Sequence, residues 1–312
     1  MNLDINDFIN FRYAPQKFMK WNYPHNTNLN SLKLFPKSLE TIFDYYVINN
    51  SLFKSKINNN NLIFCHLHSL NHFVKIMKNN INLITGNEKV LVIAGDDLHL
   101  TQAMNIIRLF QTKYKHIYYE AVNIYHPKIT TIPMGLNYAY ILRCGGNTKI
   151  NNIINNINIK TDKILLVGSA WGSKWPCLNE KIHSRKTLQQ FCNNNKWILN
   201  KMVKPYQYYK MLASLKYFIC PIGNGLQSPK IFEALLCKTV PIMEDIPVSR
   251  QIKQFGFPIM IVSSWKDITK ETLIKKYNEE FINIMWDEIH YKLSNNGMKE
   301  HLINVNNLVQ TK

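Results

Sequence analysis

YFICPIGNGLQSPKIFEALLCKTVPIMED, residues 217–245, carries strand, loop, helix and strand signals in succession, and its reading decides the fold. Residues 217–220 form a short aromatic and apolar run stopped by Pro221, and 240–243 form a second, so both read as buried parallel strands. Between them Ser228 supplies an N-cap, Pro229 suits the first helical position, and Ile231, Phe232, Leu235 and Leu236 make an apolar face. That pattern predicts a helix over 229–237. The loop ahead of it contains Gly223, Asn224 and Gly225. Its glycines let the backbone approach a ligand closely, and the free N–H groups opening the following helix favour an anion such as a phosphate. Lys230 and Glu233 lie three residues apart and share a helix face, which sets a cation and a carboxylate beside the loop. The same spacing also fits an ordinary surface ion pair, worth a few tenths of a kcal/mol.

The stretch YYKMLASLKYFICPIGNGLQSPKIFEALLCKTVPIM, residues 208–243, resembles the C-terminal segment of exostosin-like glycosyltransferases, and more loosely the donor-binding segment of GT-B glycosyltransferases. The likeness extends over 164–268. It implies an α/β fold of two Rossmann-like domains facing across a cleft. It further implies that Glu233 holds the donor ribose, that Ser228 and Lys230 lie near the phosphates, and that Arg185 in IHSRKTL reaches the diphosphate. The implied activity is metal-independent transfer of a sugar from a nucleoside diphosphate donor, a UDP-sugar, to a hydroxyl of a glycan or glycoprotein acceptor. The donor is then a co-substrate, and no further cofactor is implied. The sequence departs from the family where Ile222 and Lys230 stand in place of arginines, which alters the phosphate grip.

Composition bounds the remaining readings. A chain of 312 residues, 46% hydrophobic, fits two domains better than one. The net charge of +18 invites a nucleic-acid partner, yet Lys, Asn and Ile are all abundant and no arginine-rich or lysine-rich block occurs, so the charge is spread. Such usage is also the mark of an AT-rich coding sequence, so nucleic acid is not the favoured partner. Cys65, Cys144, Cys177, Cys192, Cys220 and Cys237 show no CxxC spacing and read as reduced thiols. The opening residues lack a signal-peptide pattern and no long apolar span follows, so the expectation is a soluble, cytoplasmic protein without a membrane span.

Along the chain, one helix is expected over 38–48. From residue 61 the apolar runs LIFCHL, INLIT, KVLVIAG, HIYYEAV and KITTIPM alternate with spans suited to helices near 69–79 and 98–113, which predicts a parallel α/β domain. The low-complexity stretch NTKINNIINNINIKTDK, 147–163, reads as the boundary between domains at 1–150 and 151–290. Helical periodicity over 271–289 and 299–309 suggests that 291–312 returns toward the first domain. KILLVGSAWGSKW opens the second domain with a buried strand running into Gly168 and Ser169, either a plain strand–helix turn or a ligand-facing strand end.

An acceptor hydroxyl must lose a proton as it attacks, so a carboxylate or imidazole is required near it. Two strand ends offer one: His66 and His68 after LIFC, and Asp96 and Asp97 after KVLVIA. Asp97 also reads as an N-cap for a helix beginning near Leu98. Adjacent acids diverge in extended chain, and Cys177 with His183 has neither the spacing nor the partners for zinc, so no metal is expected. Trp171 and Trp175 suit a sugar or base, or equally a lid over the core. Two other functions share these features: a non-catalytic nucleotide-sugar-binding module, and a DNA-modifying glycosyltransferase acting on hydroxymethylated bases.

Overall fold

The structure is a computed structural model that describes residues 2–9, 11, 37–48, 50–55, 61–95, 97–170, 185–223 and 225–304. The apolar runs of the first half become the strands β1 (Tyr45–Ile48), β2 (Ser51–Lys54), β3 (Leu62–His66), β4 (Gly86–Ala94), β5 (Tyr114–Tyr119) and β6 (Ile129–Thr131). They form one sheet in the order β2-β1-β3-β4-β5-β6, parallel except for β2, which pairs antiparallel with β1. The central strands are buried on both faces: Ile63, Phe64, Leu91, Val92, Ile117 and Tyr118 are all 0% exposed. This is why they read as continuous apolar runs rather than alternating ones. Helices Leu70–Asn79 and Leu100–Ile107 are the crossovers.

Two expectations in this half are corrected. The helix expected over 38–48 spans only Lys37–Ile42, and the aromatic and β-branched YYVI continues as β1. Asn50, at φ 63, then makes the tight turn into β2. INLIT is not a strand but contributes the helical turn Ile81–Ile84. Only Ile84 is buried there while Ile81 and Leu83 are 46% and 49% exposed, too little burial for a strand inside a covered sheet.

The second half gives β7 (Leu165–Ser169), β8 (Ile198–Asn200), β9 (Leu215–Ile219), β10 (Val240–Glu244) and β11 (Met260–Val262), all parallel, in the order β11-β10-β9-β7-β8. Helices Arg185–Asn194, Pro205–Ser214, Pro229–Leu236 and Pro247–Gln254 connect or follow these strands. Both halves are therefore Rossmann-like α/β units. The periodic 271–289 segment breaks into helix Lys270–Lys276, a wider helical turn Tyr277–Phe281 and helix Trp286–Leu293.

The division falls elsewhere than at residue 150. One unit comprises Met1–Ile5 and Tyr140–His290, the other Asn6–Ala139 and Tyr291–Lys312. The asparagine-rich stretch forms helices Gly146–Asn155 and Ile159–Asp162 of the C-terminal unit, with Ile150 and Ile154 fully buried. Its asparagines have a use that composition hides: Asn155 and Asn151, one turn apart, accept from the backbone N–H groups of Leu3 at 2.7 Å and Ile5 at 2.9 Å. The Asn155 amide also donates to the Leu3 carbonyl at 2.8 Å. In the other unit, helix Asn295–Ile303 packs against helix Lys37–Ile42, and the Ile9 N–H donates to the Leu293 carbonyl at 2.9 Å. Cys65, Cys144, Cys192, Cys220 and Cys237 are free and buried, whereas Cys177 lies outside the described residues. Among the described residues no helix is long and apolar enough to cross a membrane.

Candidate functional site

In the C-terminal sheet the chain runs outward from β7 to β8, then crosses back to place β9 on the other side of β7. Crossovers that leave in opposite directions open a crevice at the carboxyl ends of the two central strands, the position where open α/β sheets bind ligands. Those ends are Ala170, just past β7, and the 220–227 loop that follows β9. The glycine loop thus sits at the switch point of its sheet.

The loop is held tightly. The Gly223 N–H donates to the Gly225 carbonyl at 3.1 Å, and Arg185, the first residue of its helix, donates through Nε to the Ile222 carbonyl at 2.8 Å. Its guanidinium lies so close that a Cβ on Gly223 would stand 2.6 Å from Nη2 and would push the guanidinium aside. Ser228 caps the next helix, accepting from the Lys230 N–H at 3.4 Å, and Pro229 occupies the first turn. Lys230 extends to the Ala170 carbonyl, so it spans the crevice from the β9 side to the β7 side. Its ammonium also lies 5.2 Å from the centroid of the Tyr208 ring, within cation–π range. Burial pulls the Lys230 pKa down, against the attraction of Glu233.

Glu233 is not half of a surface pair. It is 1% exposed and its Oε2 accepts from the Tyr208 hydroxyl at 2.9 Å. Burial pushes its carboxyl up to about 7, with Lys230 and the Tyr208 hydrogen bond pulling the other way. Tyr208, with the edge of Tyr140 against it at 5.3 Å, therefore positions both Lys230 and Glu233. Beside this group stands a residue the sequence reading passed over. Glu244, the last residue of β10, is 5% exposed and accepts from the Trp265 indole at 2.9 Å. Its carboxyl is raised to about 7 by burial, opposed by Trp265, the Ile222 backbone and Arg185. The signal was an acid at the end of an apolar strand, PIMED, adjacent to the strand that leads into the glycine loop.

Gly168 and Ser169 lie inside β7 rather than in a loop beyond it. A Cβ on Gly168 would meet Leu215 Cδ1 at 2.5 Å, and the Ser169 hydroxyl, 0% exposed, donates to its cross-strand partner Asn200 at 2.7 Å. Both are occupied in holding the sheet. Asn224, Trp171, Trp175 and His183 fall outside the described residues, as does Asp96.

In the N-terminal unit the carboxyl ends of the adjacent parallel strands β3, β4 and β5 bring three groups together. His66 ends β3 and is 3% exposed, and its Nδ1 accepts from the His68 N–H at 3.3 Å. That bond assigns the proton of the neutral ring to Nε2. Gly95 follows β4 at φ 106, a left-handed conformation, and a Cβ there would collide with the His66 ring at 2.5 Å. The Gly95 N–H donates to Glu120 Oε2 at 2.6 Å. An imidazole and a carboxylate thus meet across one glycine. Glu120, at the end of HIYYE and 2% exposed, is a second strand-end acid missed from the sequence. His68 is exposed and stacks on His66, the rings 5.3 Å apart. Asp97 does not cap the next helix, which starts at Leu100 behind His99, whose N–H is taken by Gln102 Oε1 at 3.0 Å. Asp97 is half-buried and its charge opposes the lowering of the His99 pKa by burial. Among the described residues no group of three or more His, Cys, Asp or Glu side chains is placed to hold a metal.

No family model matches the sequence, and no curated protein matches it. Among solved structures, the chain is similar to Anabaena HepE in complex with UDP-glucose, at 10% identity and TM-score 0.36 over 80% of this chain and 77% of that one. It is likewise similar to the UDP-GlcNAc 2-epimerase of Methanocaldococcus jannaschii, at 12% identity and TM-score 0.36 over 80% and 77%. The pneumococcal O-GlcNAc transferase GtfA, in complex with UDP and GlcNAc, matches at 11% identity and TM-score 0.33 over 85% and 62%. Likenesses of this size carry no argument about chemistry, which rests on the geometry of the site itself.

Proposed function

We propose that the chain is an exostosin-like glycosyltransferase that moves a sugar from a nucleoside diphosphate donor, a UDP-sugar, to a hydroxyl of a glycan acceptor. One observation carries the proposal: the glycine loop lies at the switch point of the C-terminal sheet, with Arg185 against its backbone, a Ser228-capped helix start beside it and Lys230 across the crevice. Two cations and an N-terminal helix end make a diphosphate site. Glu233 takes the ribose hydroxyls once donor binding shifts the side chains that cover it, and Tyr208 keeps its carboxylate in place. In the N-terminal unit the acid–base candidates are Asp97, Asp96, His66 and His68, with Glu120 orienting the loop at Gly95. The chemistry requires only proton removal from the acceptor and stabilisation of the leaving diphosphate, so no cofactor enters.

Calorimetry against a panel of nucleotides tests the donor site. UDP and UDP-sugars should bind, and Arg185→Ala should weaken UDP by at least tenfold, about 1.4 kcal/mol. Failure to bind any nucleoside diphosphate refutes the reading. Binding without turnover on any glycan identifies a non-catalytic module, and turnover only on hydroxymethylated duplex DNA, falling steeply with salt, identifies a DNA-modifying enzyme.

A further inference from the structure

We propose that the face of the C-terminal unit built from helices Gly146–Asn155 and Pro205–Ser214 docks on an anionic lipid bilayer. The stretch of chain that contains both helices is more cationic than the chain as a whole, and the helices themselves carry Lys149 and Lys210. From Lys128 to Lys230 there are fifteen lysines and arginines but only two acids, Asp162 and Glu180. The two helices bring part of this charge onto one surface. Lys149 Nζ lies 5.3 Å from the Tyr206 ring centroid and joins them near their starts. One turn further along each helix, Ile153 and Lys210 line a common open groove of about 340 Å³, together with Ile157, Ile164 and Ser214. Lys210 in the groove is exposed, as are Lys204, the N-cap residue of helix Pro205–Ser214, and Lys201 just before it. Asp162 is the one acid lining the groove, and its carboxylate accepts from the Asn158 N–H at 2.8 Å.

What selects a membrane over another polyanion is the apolar content of the same face. Met202, between Lys201 and Lys204 in the chain, is 68% exposed, Tyr206 under Lys149 is 48% exposed, and Ile164, lining the groove with Lys210, is 77% exposed. A nucleic acid would engage the lysines but would leave Met202 and Ile164 in water. At a bilayer surface those side chains enter the boundary between headgroups and acyl chains, while the lysine stems lie along the surface and their ammonium groups meet lipid phosphates. Peripheral docking of this kind needs no membrane-crossing helix. The residues named here do not touch Lys230 or Glu233, although helix Pro205–Ser214 also carries Tyr208, whose buried ring faces that site.

Sedimentation of the full chain with vesicles tests it. The protein should pellet with vesicles of phosphatidylcholine mixed with phosphatidylglycerol and stay in solution with phosphatidylcholine alone. Combining Lys149→Gln, Lys204→Gln and Lys210→Gln should lower the partition coefficient about a hundredfold, since each lysine near an anionic surface contributes severalfold. Met202→Ser with Tyr206→Ser should reduce the fraction that remains bound when salt is raised. Thermal melting confirms that the variants fold, and the pair Lys204→Gln with Lys210→Gln, which spares the Lys149–Tyr206 contact, serves if the triple variant does not. Absence of pelleting with anionic vesicles overturns the proposal, as does equal pelleting by wild type and lysine variants. Complete displacement by duplex DNA, with no effect of the Met202 and Tyr206 changes, also overturns it and marks a nucleic-acid surface instead.

Discussion

Glu233→Gln separates the two things asked of this residue. At 1% exposure its carboxyl is raised from 4.5 to about 7 by burial. The folded state therefore binds a proton that the unfolded chain has already released. The associated stability is fully present below about pH 4.5 and is lost as pH rises through about 7. At about 1.4 kcal/mol per pH unit, the loss is on the order of 3 kcal/mol. Glutamine keeps a carbonyl oxygen for the Tyr208 hydroxyl but cannot ionise, so this pH-dependent loss disappears. Urea unfolding at a series of pH values, followed by tryptophan fluorescence, measures it. Five of the six tryptophans fall within 140–290, so the signal reports the C-terminal unit. The difference between wild type and variant should favour the variant progressively from pH 4.5 to 8, and taking the difference removes contributions common to both proteins. A flat difference means the carboxyl ionises normally, and the buried Tyr208–Glu233–Lys230 arrangement is then wrong. The same variant should lose roughly 1.5–3 kcal/mol of donor binding, tenfold to more than a hundredfold. It should also barely distinguish the natural donor from an analogue lacking the ribose hydroxyls. Full discrimination by the variant removes Glu233 from the ribose.

Other consequences follow from individual contacts. Gly223→Ala places a Cβ 2.6 Å from Arg185 Nη2, so it should shift the guanidinium and weaken UDP binding by about tenfold while costing little stability, a split that calorimetry and thermal melting read together. Tyr208→Phe retains the ring beneath Lys230 but removes the donor to Glu233, and should cost about 1–3 kcal/mol, with a double-mutant cycle against Glu233→Gln showing coupling; additive effects contradict the 2.9 Å bond. Burial holds His116 and His301 in the N-terminal unit, and His290 in the C-terminal unit, down at about 4. Their stability is present above about pH 6.5 and is lost as pH falls through about 4, while Glu233 and Glu244 change in the opposite sense in the C-terminal unit. Hydrogen exchange between pH 6.5 and 4 should therefore show the N-terminal unit opening first, and the reverse order contradicts this balance. Lys163, 5% exposed, donates to the Cys237 carbonyl and Thr239 Oγ1, each at 2.7 Å, and to the Leu212 carbonyl at 3.3 Å. Lys163→Met takes the near donor from the Cys237 carbonyl, while the Leu212 carbonyl keeps the Thr239 hydroxyl at 2.7 Å, and should cost about 1–3 kcal/mol in urea unfolding.

The strand, loop and helix of the C-terminal sheet were legible because local signals agreed with one another: Pro221, the two glycines, Ser228 and Pro229 each fix a local conformation, and together they mark strand, loop and helix start. What stayed hidden depends on contacts distant in sequence. Nothing near Glu233 announces that Tyr208, twenty-five residues earlier, holds its carboxylate. Glu120 and Glu244 each close an apolar run, and nothing within those runs shows that the Gly95 backbone and the Trp265 indole lie against them. The asparagines at 151 and 155 looked like filler because their partners are the backbone of residues 3 and 5. The reading of Asp97 as a cap failed by two residues, since His99 opens the helix instead.

The connectivity itself has a consequence for how the chain is made. Residues 2–5 belong with 140–290, while the unit that begins at residue 6 is completed only by the segment beginning at 291. No single cut in the chain releases either unit whole. During synthesis the N-terminal sheet emerges long before the helix that covers Lys37–Ile42, which begins only at Asn295. Until then Leu39 and its neighbours lack their cover and are open to chaperones or to other nascent chains. The steepest aggregation risk should therefore fall on truncated products that end before residue 295, including those that already contain the entire C-terminal sheet.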